Sequence, residues 1–264
     1  MDILTHIVSG ATIGACAASF TNKKITSIAG LIITGTIAGA LPDIDAISLW
    51  SKFDGTFGKF FGLSLSGKEI YSSKLWYSHH NFLHSAVAAL LFSFLAGLII
   101  FFISKKPRQK IKQSQTHIIV AIAFFLGYIT HLVEDMFTPA SVWGGVNFFW
   151  PSVKFIGGYG NIWWWNNYDI FLIIFTAFFI NFSILTMNRY KKIPVKIITS
   201  GIILVAVLWV SVQIKNRDFD FNYTGFTAKY NVYEQKSLEI QKRILGKKLY
   251  NIMNHLDRQL KFNF

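Results

Sequence analysis

Long apolar runs separated by short polar stretches dominate the chain. Residues 85–103, 116–133, 169–187 and 195–214 each come close to the roughly 20 residues that cross the hydrocarbon core of a bilayer. Two earlier runs, 4–20 and 25–41, are shorter and rich in Gly, Ala, Ser and Thr. Small side chains let helices approach closely where lipid provides no hydrophobic drive for association. These two runs are therefore predicted to form a packed hairpin turning at Thr21-Asn22-Lys23-Lys24. The fold expected is all-α: a polytopic membrane bundle of five to six transmembrane helices over residues 1–214, followed by a polar tail over 215–264. Within the tail, Leu238, Ile240, Ile244, Leu245, Leu249, Ile252, Met253 and Leu256 recur at helical spacing. They predict an amphipathic helix over about 233–260, packed on the domain or lying on the bilayer.

Composition supports a membrane protein: 52% of the 264 residues are hydrophobic and only 15% charged. A net charge of +13 in a soluble protein would suggest nucleic acid. Here the basic residues sit mainly in loops, and no nucleic-acid partner is expected. Lys23 and Lys24 follow the first run. Lys105, Lys106, Arg108, Lys110 and Lys112 lie between the third and fourth, and Arg189, Lys191, Lys192 and Lys196 between the fifth and sixth. Under the positive-inside rule these three stretches are cytoplasmic. The N-terminus and segments 42–84 and 137–168 then face outward from an inner, cytoplasmic membrane. The tail's ten basic residues weakly oppose an outer location, although long polar segments obey the charge rule poorly. Trp163, Trp164 and Trp165 read as an interfacial aromatic belt or, less simply, as a stacking surface for substrate. Cys16, the single cysteine, reads as helix-packing filler. The opening Met-Asp-Ile-Leu-Thr-His has no basic region of the kind that starts a cleavable signal peptide.

On that topology one kind of chemistry collects at one face. His6 opens the first helix, Asp43 and Asp45 close the second, His79 and His84 precede or open the third, and His131 with Asp135 closes the fourth. Imidazole and carboxylate without a cysteine cluster suit Zn²⁺, Mn²⁺ or Fe²⁺. His131 and Asp135, four apart, share a helix face. Pro42-Asp43-Ile44-Asp45 alone would read equally well as turn chemistry. Three imidazoles within six residues, at 79, 80 and 84, are harder to explain structurally. Asp2 suits either an N-cap or a partner for the His6 ring, and Glu134 is expected to point away from the cluster. Three carboxylates and at least three imidazoles exceed the needs of one ion, so two or more are expected. Asp43 or Asp45 would be the natural bridge, and metal-activated water the nucleophile.

Thr5-His6 followed by Gly10 and Gly14, Leu41-Pro42-Asp43-Ile44-Asp45, His79 five residues before His84-Ser85, and His131-x-x-x-Asp135 followed by Thr138 form a pattern. It resembles the membrane-bound metal-dependent hydrolase family of YdjM type, over about residues 1–150. That family is thought to be remotely related to zinc-dependent phospholipases C and single-strand-specific zinc nucleases. The resemblance implies metal-dependent hydrolysis of a phosphoester without naming a substrate. Hydrolysis of a phosphoester or ester is expected, and a site at the headgroup level of a bilayer makes a phospholipid or other amphiphile the expected substrate. It assigns metal binding to His6, Asp43, Asp45, His79, His84, His131 and Asp135, and catalysis to Asp43, Asp45, His84, His131 and Asp135. Family members often carry His-Arg where this chain has His79-His80, so His80 stands in the arginine's place. Two other readings stay open: a transporter or proton pathway, which should distribute polar groups through the membrane thickness, and a structural metal site that staples helices.

Overall fold

The computed structural model describes residues 1–21, 25–103, 116–188 and 194–260. The chain is helical, with no β-strand among these residues. In chain order the helices are α1 (Ile3–Ala18), α2 (Ile25–Ala40), a 3-10 segment Pro42–Leu49, the short α3 (Gly67–Ser72), α4 (Ala86–Ile103), α5 (Thr116–Met136), α6 (Tyr168–Met187), α7 (Val195–Lys215) and α8 (Tyr230–Leu260). Asp2 caps α1, its carboxylate accepting from the Thr5 backbone N–H at 3.0 Å and the Thr5 hydroxyl at 2.7 Å. Of its two expected roles, the N-cap is the one it takes.

α1 and α2 cross so closely that the glycines at the crossing have no alternative. A Cβ on Gly10 would lie 2.1 Å from the Gly35 carbonyl oxygen, and one on Gly39 would lie 2.2 Å from that of His6. The small-residue pattern thus becomes backbone-to-backbone packing. α5 lies against α1, α2 and α4, while α6 and α7 flank α1 on its other side. Deep in the bundle Ala15, Ala18, Ile28, Leu31, Val120, Ala123, Leu185 and Val195 pack together. Nearer the polar end Ala38, Ala88, Phe124, Tyr128 and Leu132 form a second layer.

Four helices, α4 to α7, are long and apolar enough to cross a membrane, or five if α2 and the 3-10 segment, bent by 51°, count as one span. The expected five to six becomes four to five. α1 is apolar but has 16 residues, a rise of about 24 Å against a hydrocarbon core of roughly 30 Å. The predicted hairpin turn and most of the basic residues used for orientation fall on 22–24, 104–115 and 189–193, outside the described residues.

The tail is folded back onto the bundle. Trp163, expected in an interfacial belt, is fully buried and packs against Phe221, Tyr230 and Tyr233. Arg217 pairs with Asp169 at the start of α6 at 3.0 Å, both buried. Tyr168 donates to Asp257 at 2.7 Å. The expected tail helix forms as α8, with a break at Gly246, where φ is +73°.

Candidate metal centre

Five of the chain's seven histidines meet at one end of the bundle, buried. Their rings form a continuous series. His6 stacks on His131 with centroids 3.7 Å apart, His131 lies 5.2 Å from His84, and His84 lies 4.7 and 4.8 Å from His79 and His80. Helix termini bring them together: the start of α1, the end of α5 and the loop before α4, with Asp43 and Asp45 on the 3-10 segment after α2.

Each ring is turned the same way. The Nδ1–H of His131 donates to the Gly39 carbonyl oxygen at 2.7 Å, and that of His80 to the Gly145 carbonyl oxygen at 2.9 Å. His79 Nδ1 donates to Asp45 at 2.7 Å and His6 Nδ1 to Glu134 at 2.6 Å. His84 Nδ1 faces Asp45 Oδ2 at 3.3 Å. In the four rings so bonded, anchoring Nδ1 fixes the tautomer and leaves Nε2 as the lone-pair donor, the arrangement around most metal-bound imidazoles.

The freed Nε2 atoms crowd the carboxylates. His131 Nε2 is 3.0 Å from Asp135 Oδ2, 3.6 Å from Asp43 Oδ1 and 3.4 Å from His84 Nε2. His84 Nε2 is 3.5 Å from Asp135 Oδ2 and 3.6 Å from Asp43 Oδ1. These are five of the six edges of a tetrahedron with Asp43, His84, His131 and Asp135 at its corners. Four ligand bonds of about 2.0–2.1 Å in tetrahedral array put donor atoms about 3.3–3.4 Å apart, so a zinc-sized ion fits. A second group, His79, His80 and His84, also gathers its ligand atoms within 4.8 Å of one another. Within the centre His6 Nε2, His84 Nδ1 and Asp45 Oδ2 are buried without a hydrogen bond, each close to an oppositely charged or polar neighbour.

His6 and Asp45 lie in the centre but outside both ligand groups. His6 Nε2 is 3.1 Å from Asp135 Oδ1, and Asp45 spans His79 and His84. The Met1 α-amino nitrogen pairs with Asp135 as well. Glu134, expected to point away, orients His6 and also accepts a hydrogen bond from the Ser9 hydroxyl. His80 belongs to the second group, at φ +62°. Such a left-handed backbone costs a non-glycine residue roughly 1–2 kcal/mol. The Asn147 N–H bonded to the His80 carbonyl at 2.9 Å helps hold it there.

Charge on the loop histidines divides. Burial, with His79 and His84 as neighbours, holds the His80 imidazole well below its ordinary pKa, hence neutral. Burial also opposes protonation of His84, but Asp45, Asp135 and Asp43 outweigh it and raise that imidazole well above its ordinary value. An ion held there would neutralise those carboxylates in place of that proton.

A cavity of about 1080 Å³ opens onto the centre, reaching Asp43, His79, His80 and Asp135. Tyr71, Trp143 and Trp164 line its sides, and Tyr223, Tyr230 and Leu238 of the tail close it over. Of the tryptophan triplet, Trp164 and Trp165 face this space.

Neither the curated proteins nor the solved structures give a match to this chain. Residues 1–217, which carry every residue of the centre, match the model of the YdjM inner membrane protein family, and the chain belongs to that family.

Proposed function

We propose that this protein is a membrane-bound, divalent-metal-dependent hydrolase that cleaves a phosphoester or ester, with the metal centre on the extracytoplasmic side. The carrying observation is the set of inward-turned imidazole Nε2 atoms gathered with Asp43 and Asp135 at the floor of a large cavity. A divalent ion supplies a Lewis acid and lowers the pKa of water. Asp43, His84, His131 and Asp135 would hold one ion, with His79 and His80 beside it as alternative partners of His84. Asp45 orients the His79 ring, and Glu134 the His6 ring that stacks on His131. In phosphoester hydrolysis the hydroxyl of water bonds to phosphorus, the P–O bond to the leaving group breaks, and the leaving oxygen takes a proton. The side assignment rests on the basic residues between the apolar runs, which belong to the opposite helix ends.

A proton or solute pathway is less favoured, because the buried ionisable residues collect at one end. Within the membrane α6 and α7 contribute only Asn181 and a few hydroxyls to the interior. A purely structural metal would leave the cavity beside it without purpose. The deciding experiment measures the metal content of the purified protein and its turnover of a panel of phosphomonoesters, phosphodiesters and phospholipids. Turnover that chelator abolishes and Zn²⁺ or Mn²⁺ restores is expected. Full activity in chelator would overturn the reading.

A further inference from the structure

In a 3-10 helix side chains three apart stack along one edge, and Pro42–Leu49 uses its three edges for three purposes. Pro42, Asp45 and Ser48 face protein. Pro42 and Ser48 are buried, and Asp45 holds His79. The Ser48 carbonyl oxygen meets the start of α3 so closely that a Cβ on Gly67 would lie 1.9 Å from it. Asp43, Ala46 and Leu49 line the cavity. Ile44, Ile47 and Trp50 face outward, with 56%, 46% and 46% of their surface exposed. The wall between the cavity and the outside is here one 3-10 helix thick.

We propose that this outer edge is immersed in the bilayer, and that the site takes a membrane-resident amphiphile sideways across it. The proposal rests on the hydrolase reading for its chemistry and adds the substrate class and the route. Three observations favour lipid as the occupant. The edge follows directly from the exposed Ile33 and Ile37 of α2, turned by 51° from that helix. The chain then presents Phe57, Phe60 and Phe61, all exposed, the middle one by 81%. Exposed Lys52 and Lys59 alternate with these apolar groups. Asp54 and Glu69, also exposed, are tied to neighbouring groups of the same segment, Asp54 accepting from the Gly67 N–H at 2.6 Å and Glu69 closing the capping box with Ser66. Aromatic and aliphatic side chains interleaved with lysine suit the boundary between acyl chains and anionic headgroups. A second copy of the chain is a poorer occupant, because a two-fold contact would set this lysine-bearing surface against itself. The headgroup's ester would then enter beside Asp43 while the acyl chains stay against Ile44, Ile47 and Trp50.

The test uses the full chain reconstituted in vesicles of phosphatidylethanolamine and phosphatidylglycerol. A nitroxide on Ile47→Cys, in a Cys16→Ser background, reports its surroundings through collision with oxygen or with a water-soluble nickel chelate. Oxygen-dominated relaxation is expected. Relaxation dominated by nickel, or dipolar coupling to a second label, would overturn the proposal whether or not the protein is an enzyme. In parallel, an Ile44→Ser/Ile47→Ser/Trp50→Ser variant should keep its metal and hydrolyse a water-soluble aryl phosphodiester within about twofold of wild type. It should lose at least about tenfold on phospholipid in vesicles. Equal loss on both substrates, or on neither, contradicts the route while leaving the hydrolase reading intact. Wild type inactive on both removes the hydrolase reading, and the nitroxide then decides the immersion alone.

Discussion

α5 and α7 are both 21 residues long, with mean hydropathies of 1.9 and 2.3, yet 39% of the apolar window is buried in α5 and only 6% in α7. α5 packs on α1, α2 and α4 and delivers His131, Glu134 and Asp135 to the centre. α7 runs along the margin, exposing Leu204, Val205, Leu208 and Trp209. Hydropathy alone therefore identifies a span without saying whether it belongs to the interior of the bundle or to its lipid-facing edge. What separates the two is the distribution of small and polar residues: Gly127 of α5 packs against Ala38 and the Gly35 carbonyl of α2, a fit that α7 has no counterpart for.

The comparison yields a graded series. Asp135→Asn should have the largest effect, reducing metal content and turnover by at least about 10³-fold. It keeps the shape but removes the charge that offsets the ion. Circular dichroism should stay unchanged. Gly39→Ala comes next. Its Cβ would press on the His6 carbonyl and is expected to destabilise the bundle by about 1–3 kcal/mol, read as earlier thermal unfolding in detergent. Glu134→Gln should weaken metal affinity by at most about tenfold, because Glu134 orients His6, which stacks on His131 but lies outside both ligand groups, with little change in melting. Val205→Ala on α7 should stay within about 0.5 kcal/mol of wild type in stability and leave metal content and turnover as they were. An effect on metal affinity from α7 equal to that from α5 would break the comparison.

Acid sharpens it further. Because the surrounding carboxylates raise the His84 pKa in the metal-free protein, an entering ion must displace a proton that persists above the ordinary imidazole value near 6.5. Apparent metal affinity should therefore keep rising with pH beyond that point, with proton release measurable by calorimetry in buffers of different ionisation enthalpy. An affinity flat from acid to alkaline pH would show that His84 binds no ion.

Much of this arrangement was legible in the residues. His131 and Asp135 share a helix face by spacing alone, and the glycines of α1 and α2 announce close packing. Other features depend on geometry that spacing does not encode. Glu134, one residue from Asp135, meets the Nδ1 edge of the His6 ring while Asp135 meets its Nε2 edge. His80 joins the second ligand group only because its backbone turns into the left-handed region, which nothing in Ser78-His79-His80-Asn81 demands. Pro42-Asp43-Ile44-Asp45 reads as turn chemistry, and its period of three becomes visible only once cavity, protein and exterior are distinguished. Trp163 reads as interfacial because its burial depends on Phe221, Tyr230 and Tyr233, which are about 60 to 70 residues away along the chain. The tail looked separable by composition. Its polar character reflects the outer surface of α8, while its aromatic face covers the cavity.

The central claim is that these imidazoles and carboxylates hold a divalent ion, and it is tested most directly by elemental analysis of the purified wild type beside His84→Ala. The prediction is at least about one equivalent of a divalent transition metal in the wild type, removed by chelator and restored by Zn²⁺ or Mn²⁺, and less than about a tenth of that in the variant. Wild-type protein without stoichiometric metal under metal-replete conditions, or a variant that retains the full amount, would contradict it.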